Sequence, residues 1–452
     1  MSQTINLKKG FDLNILGKAE NKTLSSEPSE TYVLKPTDFH GIAQPKLLVK
    51  VGDTVKAGTA VMYDKSQEDV KFVSPVSGEI VEINRGAKRK LLEIKILGDK
   101  EVEYEKFDSF SISDISNLDR EKVVQHMATT GVWANITERP YGVVADITAT
   151  PKAIFVSAFD SSPLAPDEEI TLKGKEADLK AGFEILKKLT AGTVHLNVSR
   201  DKESSGLFSG IEGVQINKFS GPHPSGNVGT QIHHIDPINK GEIVWTLTPY
   251  GVAQIGKLFL EGVYDASKVI ALTGSSLSET GYVSTYSGAA IKKLVSDRTN
   301  GDNLRFVSGN LLTGESIGAD GHLGFHASQI TVIPEGDEEE FLGWILPSTN
   351  KLSFHRSFGL LSFGKKEYEV TTNTQGEKRG FVMTGAFEQV MPMDVLPTYL
   401  FKSIIANDYD EMEALGIYEL IEEDVALCEF IDVSKNDLQE LLREGIELIR
   451  NS

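Results

Sequence analysis

The sequence of 452 residues contains a single cysteine, Cys428. One thiol excludes a disulfide within the chain and any metal site built from several thiolates, and it is typical of a reducing compartment. Long apolar runs are also lacking, since no segment approaches the roughly 18 apolar residues of a spanning helix. The first twenty residues contain lysines but no apolar core of signal-peptide length. The sequence therefore predicts a cytoplasmic chain without a direct membrane span.

Positive charge is scarce as well. The chain has 46 lysines and arginines against 65 aspartates and glutamates, which gives a net charge of -19. Binding to nucleic acid or to an anionic lipid surface needs clustered basic residues, so both are disfavoured. We expect any association with a membrane to run through a protein partner.

Signatures of common catalytic sites are missing too. The sequence has no Gly-x-Ser-x-Gly elbow, no Gly-x4-Gly-Lys-Ser/Thr phosphate loop and no His-Glu-x-x-His zinc motif. Cys428 is the remaining nucleophile candidate, and its apolar helical context predicts an inert core thiol. We therefore predict no catalytic residue and no metal site in this chain.

Length and pattern predict four modules, a β and α/β multidomain protein. The first consists of short alternating segments broken at glycines, which indicates an all-β domain. In the second, buried strands alternate with amphipathic helices, which is typical of a Rossmann-like α/β domain. The third shows the strand, helix and strand of a small β-grasp (SLBB-like) domain, and the fourth ends in helices with an apolar face. The predicted boundaries are 1–115, 116–255, 256–335 and 336–452.

The first module contains Val-Gly-Asp-x-Val-x-x-Gly at 51–58 and Ser-Pro-x-x-Gly-x-Ile at 74–80. This pair resembles the barrel-sandwich hybrid of biotinyl and lipoyl domains, in which a hairpin lysine carries the cofactor. Lys65 stands roughly where that lysine belongs, so a swinging-arm carrier is one interpretation. The interval from Lys65 to Pro75 is longer than usual, which predicts that the hairpin tip does not present Lys65 in the usual register. An unmodified domain is therefore favoured.

The second module lacks the dinucleotide fingerprint, because no strand is followed by Gly-x-Gly-x-x-Gly. Residues 131–141 contain Trp133, Arg139 and Tyr141 in place of further glycines. Such side chains exclude a phosphate cradle, which needs close backbone amides, but they suit a flat apolar ligand. Alternatively, Trp133 and Tyr141 pack the interior of the domain.

Three histidines in one Gly/Pro-rich segment, His223, His233 and His234, raise the question of a metal site. If His233 and His234 lie on a strand, their side chains point to opposite faces and cannot share one ion without a bulge. No thiol or carboxylate is regularly spaced around them. Structural or partner-contact roles are favoured over metal binding.

The fourth module keeps the frame of two ferredoxin-type cluster motifs, Cys-x2-Cys-x2-Cys-x3-Cys-Pro, without their cysteines. One ligand of eight remains, so the module cannot hold an iron–sulfur cluster. The first frame falls on Phe381, Thr384, Phe387 and Met391 before Pro392, and the second on Glu422, Val425, Cys428 and Asp432 before Val433.

Four modules in this order resemble one superfamily, which comprises the C subunit of Rnf-type electron transport complexes and the A subunit of the sodium-translocating NADH:quinone oxidoreductase. The C subunits have two cluster motifs near the C-terminus, and the A subunits lack them. Three stretches look like the A subunit: Leu-Lys-Lys-Gly-Phe-Asp-Leu at 7–13, Phe-Val-Ser-Pro-Val-Ser-Gly at 72–78 with Asn-Arg-Gly-Ala at 84–87, and Phe-Ser-Gly-Pro-His-Pro-Ser-Gly at 219–226.

The resemblance implies a peripheral subunit on the cytoplasmic face of membrane subunits, in a complex that oxidises NADH, reduces a quinone and exports sodium. It implies that this chain binds no flavin, no iron–sulfur cluster and no covalent cofactor. It also implies interaction with a quinone, either ubiquinone or menaquinone. Aromatic rings sandwich a quinone head while a donor binds its carbonyl oxygen, and a histidine supplies a proton near neutral pH. The candidate quinone-binding residues are Trp133, Arg139, Tyr141, Phe39 and His40.

Three rival interpretations remain. A purely structural scaffold leaves the quinone chemistry to the membrane subunits. A carrier protein uses Lys65, and an Rnf-type accessory subunit needs the cysteines that the sequence lacks.

Overall fold

The computed structural model describes residues 2–200, 206–337, 341–342, 351–355 and 366–451. These residues form sheets of seven, five, four and three strands, followed by a group of C-terminal helices. The α/β and β multidomain architecture is confirmed. Among the described residues, no helix is long and apolar enough to cross a membrane.

The N-terminal domain packs two antiparallel sheets, ordered β2-β8-β7-β4 and β3-β5-β6, around a core that includes Val61, Ile80 and Ile94. In β8, buried Ile94 and Ile96 alternate with the more exposed Lys95 and Leu97, as expected for a half-buried sheet. The first eight strands are β1 (Thr4–Asn6), β2 (Thr31–Leu34), β3 (Pro45–Leu47), β4 (Thr54–Val55), β5 (Ala60–Asp64), β6 (Gln67–Val73), β7 (Gly78–Arg85) and β8 (Leu91–Gly98).

Lys65 lies exposed in the two-residue turn between β5 and β6. The sequence predicts that the hairpin tip does not present Lys65 in the usual register, and the structure places Lys65 in the turn itself. The extra residues are accommodated in β6, where the pairing shifts from Asp64 opposite Gln67 to Tyr63 opposite Lys71. A β-bulge thus absorbs the longer interval and leaves the turn itself tight.

The α/β domain has a seven-stranded sheet in the order β1-β13-β12-β11-β14-β9-β10. The first five are parallel and the last two antiparallel, which confirms the Rossmann-like type. Its elements are α1 (Ile112–Asn117), α2 (Arg120–Thr129), β9 (Thr137–Arg139), β10 (Val143–Val144), β11 (Ala153–Ala158), α3 (Glu168–Thr171), α4 (Glu176–Leu189), β12 (Thr193–Ser199), β13 (Gln215–Ser220), α5 (Val228–Ile235), β14 (Val244–Leu247) and α6 (Pro249–Glu261).

The first strand, β1, lies outside the N-terminal domain to which the sequence analysis assigned it. It pairs in parallel with β13 at the edge of the α/β sheet, and Thr23 bridges to Tyr282 farther along the chain. Short alternating segments predict a strand but not the sheet that it joins, because edge pairing depends on tertiary context.

Helices α4 and α6 pack almost backbone to backbone. A side chain at Gly182 would overlap the carbonyl oxygen of Val252, and one at Gly256 would overlap that of Asp178. Leu179, at the start of the buried stripe of α4, is fully buried. Glycine at both crossing positions permits this close approach.

The β-grasp domain has the strand order β16-β15-β19-β17-β18, with a parallel central pair β15 and β19. The strands and helix are β15 (Ser267–Thr273), β16 (Gly281–Tyr286), α7 (Lys292–Val295), β17 (Leu304–Ser308), β18 (Glu315–Ile317) and β19 (Gln329–Pro334). The helix predicted over 289–296 is present as the four residues of α7.

The C-terminal domain is helical. Leu438, Leu442 and Ile446 form the predicted apolar face and are buried. The short β-like region predicted after residue 337 falls mainly outside the described residues. The helices are α8 (Phe387–Val390), α9 (Pro397–Ala406), α10 (Tyr409–Ala414), α11 (Glu422–Ile431) and α12 (Leu438–Arg450).

Candidate functional site

Two segments from the predicted quinone site meet where the N-terminal, α/β and C-terminal domains come together. The backbone N–H of Val144 donates to the carbonyl of His40 (3.1 Å). Arg443 of α12 donates to the carbonyl of Tyr141 (2.7 Å) and pairs with Glu422 of α11. We call this region, defined by His40, Tyr141, Glu422 and Arg443, the three-domain seam.

His40 and Tyr141 present side chains at the seam. His40 is exposed, yet its neighbours desolvate it enough to lower its pKa, and the positive charge of Arg443 lowers it further. A neutral imidazole can donate and accept hydrogen bonds at the same time. Tyr141 is half-buried and packs against the C-terminal core.

Phe39 directly precedes His40 in the sequence and is buried. Its ring lies 4.7 Å from that of Phe72 and 4.8 Å from that of Phe325, in tilted arrangements. These contacts join the N-terminal domain to the loop before β19. Phe39 therefore fixes the position of His40 rather than offering a free aromatic face.

Arg139 is 1% exposed, and its two terminal nitrogens are engaged with the C-terminal domain. Its guanidinium donates to Asp424 (2.7 Å) and Glu423 (2.6 Å) of α11. Burial opposes its charge, but the two carboxylates outweigh burial and raise the pKa of Arg139. A buried cation with carboxylate partners holds two domains together and has little capacity left for a ligand.

The Asp424 carboxylate lies against the first turn of α5. A side chain at Gly229 would overlap both Asp424 and the Arg139 guanidinium. Beside them, the amide of Asn227, the N-cap residue of α5, donates to the carbonyl of Glu423 (2.8 Å). Negative charge is favourable at a helix N-terminus, where backbone N–H groups point outward. We call Arg139, Gly229, Glu423 and Asp424 the α11 lock.

Trp133 lies in the core of the α/β domain with no exposed surface. Its indole N–H donates to the carbonyl of Ala145 (2.8 Å), and its ring is perpendicular to Trp245 at 5.3 Å. The packing interpretation of Trp133 is therefore confirmed. The protein itself supplies the acceptor for the indole N–H and the aromatic contact for the ring.

His233 and His234 lie on helix α5 and not on a strand, so the argument from opposite strand faces does not apply to them. Both residues contact the C-terminal domain: His233 Nδ1 bonds Glu419 (2.7 Å) and His234 Nε2 donates to the carbonyl of Pro392 (2.8 Å). His223 is buried and bonds Ser161 (3.0 Å). These contacts confirm a structural role. Within the described ranges, no group of three His, Cys, Asp or Glu residues is arranged to hold a metal ion.

Of the eight positions that match the ferredoxin-type frame, three hold polar residues, Thr384, Glu422 and Asp432, and the others hold Phe381, Phe387, Met391, Val425 and Cys428. The rings of Phe381, Phe387 and Phe401 lie 6.0–6.2 Å apart. Cys428 is 1% exposed, and burial raises its thiol pKa well above the usual range. Cys428 therefore lies in the core, as predicted.

Sequence reasoning missed a second buried cation, Lys268. Its ammonium donates to the carbonyls of Phe325 (2.7 Å) and Ala327 (3.1 Å) and lies 4.8 Å above the Tyr250 ring. Burial lowers its pKa to about 7. Asp38 accepts the N–H of Phe325 (2.7 Å), and burial raises the pKa of Asp38 to about 6. The sequence feature that could have identified this buried cation is a lysine in a strand whose other residues are mostly apolar.

A cavity of about 260 Å³ lies elsewhere, between the N-terminal segment and the edge of the β-grasp sheet. It is lined mainly by hydroxyl-bearing residues, and none of the five predicted quinone-binding residues contributes to it. The lining includes Ser29, Tyr32, Ser267, Thr285 and Tyr286.

Comparison with protein-family models agrees with the first three domains. Residues 5–99 match the NqrA N-terminal barrel-sandwich hybrid domain, residues 118–264 the NqrA second alpha/beta domain, and residues 269–318 the NQRA C-terminal domain of the SLBB type. Among solved structures, an NAD+-reducing [NiFe]-hydrogenase in the air-oxidized state is 11% identical, with a TM-score of 0.39 over 78% of this chain and 67% of that chain. That likeness is too low to support an argument.

Similarity to curated relatives extends over nearly the whole chain. The A subunit of the Na(+)-translocating NADH-quinone reductase of Actinobacillus pleuropneumoniae serotype 5b (strain L20) is 37% identical over 98% of this chain and 99% of the relative. Its counterpart in Hahella chejuensis (strain KCTC 2396) is 37% identical over the same shares. The chain therefore belongs to the family of A subunits of the Na(+)-translocating NADH-quinone reductase.

Proposed function

We propose that this chain is a peripheral subunit on the cytoplasmic face of its complex and that it contributes a quinone-interaction surface. The complex couples NADH oxidation and quinone reduction to sodium export, while the membrane subunits carry the redox centres. Family membership supports the assembly, and the net charge of -19 supports docking through protein rather than through anionic lipid.

The three-domain seam is the proposed quinone contact. The observation that carries this proposal is the meeting of two segments about 100 residues apart, which contain exposed His40 and half-buried Tyr141, beside Arg443. His40 donates a hydrogen bond from its neutral imidazole to a quinone carbonyl, while the Tyr141 ring supports the head group. Phe39, Arg139 and Trp133 take positioning roles, because each is buried and engaged by the protein.

Kinetics of the assembled complex test this proposal. His40→Ala combined with Tyr141→Ala should leave assembly intact and raise the quinone KM about tenfold, the equivalent of one lost hydrogen bond. His355→Ala is the matched control, since His355 is also an exposed histidine but lies outside the seam. An unchanged KM in the double variant would remove the seam from the quinone path.

A purely structural scaffold is the second candidate function. The observation that favours it is the engagement of Trp133 and Arg139 in packing and in interdomain ion pairs. A scaffold predicts that Arg139→Ala impairs assembly and that the seam variants change nothing. The quinone proposal predicts instead that the seam variants raise the quinone KM and leave assembly intact.

We further propose that the chain carries no flavin, iron–sulfur cluster or covalent cofactor, and that the C-terminal domain derives from a ferredoxin-like module that lost its clusters. Apolar packing of Phe387, Met391 and Val425 at former ligand positions supports this. Lys65 has the exposed turn position that a carrier needs, but Gln67 next to it accepts the N–H of Ile147 (3.3 Å), which holds the hairpin against the α/β domain. A colourless protein with an unmodified intact mass is expected, and added mass on Lys65 would establish the carrier instead.

A further inference from the structure

Exposed large apolar side chains are distributed unevenly over the described surface. The described residues between 113 and 337 expose none, although they include the whole β-grasp domain and most of the α/β domain. Residues 381–433 expose eight. Such a concentration indicates an interaction surface, because scattered single residues are the norm elsewhere. The eight are Val382, Met383, Leu396, Tyr399, Ile405, Tyr409, Phe430 and Val433.

Helix α9 lies at the centre of this region and is apolar on both sides. Its inner side buries Leu400, Phe401 and Ile404 in the C-terminal core. On its outer side Tyr399 is 49% exposed and Ile405 is 54% exposed. A surface helix that packs on one side only is expected to be polar on the other.

Exposed acidic residues lie just before α9 and at the start of α10. Between residues 394 and 411 the chain has four exposed carboxylates and one exposed base, Lys402. The carboxylates do not form part of the apolar contact. Their negative charge favours a partner with positive charge. They are Asp394, Asp408, Asp410 and Glu411.

We propose that this surface docks on a basic, partly apolar cytoplasmic segment of a membrane-spanning subunit of the same complex. We call it the α9–α10 face and define it by Leu396, Tyr399, Ile405, Tyr409 and the four carboxylates. The inference rests on the proposed peripheral position. Cytoplasmic loops of membrane proteins carry an excess of Lys and Arg, so an acidic rim around exposed tyrosines matches their charge.

Two other occupants fit the charge less well. An anionic lipid surface is repelled by the acidic rim. A second copy of this chain in a two-fold dimer would bring the same carboxylates face to face, because an isologous interface places one patch against itself. The complementary occupant is therefore a basic protein segment.

The test compares two pairs of exposed apolar residues in the full complex. Tyr399→Ser with Ile405→Ser should weaken retention of the chain by the detergent-solubilised membrane subunits at least tenfold. Leu48→Ser with Val51→Ser is the matched control, since these residues are 48% and 57% exposed on the N-terminal domain. Asp410→Asn with Glu411→Gln should reduce the salt dependence of retention.

Photocrosslinking identifies the occupant without depending on the stability of the Ser variants. A photoreactive phenylalanine analogue in place of Tyr399 should form an adduct with a membrane-spanning subunit. An adduct with lipid or with a second copy would overturn the proposal, as would normal retention of the Tyr399/Ile405 double variant. Quinone binding by the isolated variant separates the two proposals: lost docking in a chain that never binds quinone supports the α9–α10 face and contradicts the quinone role.

Discussion

Arg139 and Lys268 are both buried cations at domain junctions, but they are held in different ways. Arg139 donates to two carboxylates, and its pKa is raised. Lys268 donates to two neutral carbonyl oxygens, and its pKa falls to about 7. The difference teaches that a buried charge remains fixed where carboxylates are its direct partners and becomes titratable where its direct partners are carbonyl dipoles.

The largest effect is expected from breaking the α11 lock. Asp424→Ala leaves Arg139 buried with only the more exposed Glu423, and we expect the free energy of unfolding to fall by about 3–5 kcal/mol. Urea denaturation measures the change. Asp410→Ala, which removes an exposed carboxylate from α10, is the control and should cost little. A loss for Asp424→Ala as small as that of the control would show that the lock does not stabilise the fold.

A smaller effect is expected from crowding the same site without removing a charge. Gly229→Ala places a methyl group where the Asp424 carboxylate and the Arg139 guanidinium now lie, and should destabilise the chain by about 1–3 kcal/mol. Gly318→Ala, at a glycine with open space around it, is the matched control. Equal thermal midpoints for the two variants would mean that the close contact at Gly229 is absent in solution.

The third prediction concerns the pH dependence of the free energy of unfolding, and its expected change per pH unit is the smallest of the three effects. The folded pKa of Lys268, about 7, is lower than the ordinary lysine value of 10.5, so between these values the unfolded chain binds the proton that the folded chain lacks. Stability from this group therefore rises as pH increases from 7 to 10.5, by at most about 1.4 kcal/mol per unit, and is constant below the folded pKa.

Lys268→Met measures that contribution by difference. The stability of the wild type relative to the variant should increase between about pH 8 and pH 9, inside the window between the two pKa values, in urea titrations at each pH. The corresponding Arg139→Met comparison should show no slope in this range, because Arg139 is charged in both states. A flat difference for Lys268→Met would mean that the pKa of Lys268 is not lowered in the folded chain.

Local patterns predicted the elements better than the contacts between them. The strand predicted over 153–158 is present at Ala153–Ala158, and the apolar face of α12 is buried as expected. The periodicity of apolar residues predicts such strands and helix faces, because it shows which side of an element packs against the core. His233 and His234 lie on a helix. The sequence did not predict this helix, because two adjacent residues show no periodicity.

The candidate site was predicted only in part, for the same reason. Tyr141 and His40 were singled out by residue type, and the structure brings their segments together. Burial of Trp133 and pairing of Arg139 with Asp424, 285 positions along the chain, depend on long-range packing that no local motif records. Lys268 was visible as a charge in an apolar strand, but its carbonyl partners were not.

Equilibrium binding of a short-chain quinone to the isolated full-length chain tests the central claim most directly. We predict saturable binding that survives Trp133→Phe and weakens at least tenfold in the His40→Ala and Tyr141→Ala double variant, with the same thermal midpoint. Binding by the double variant as tight as that of the wild type, or no binding to the folded wild-type chain, would contradict the claim that the three-domain seam contacts quinone.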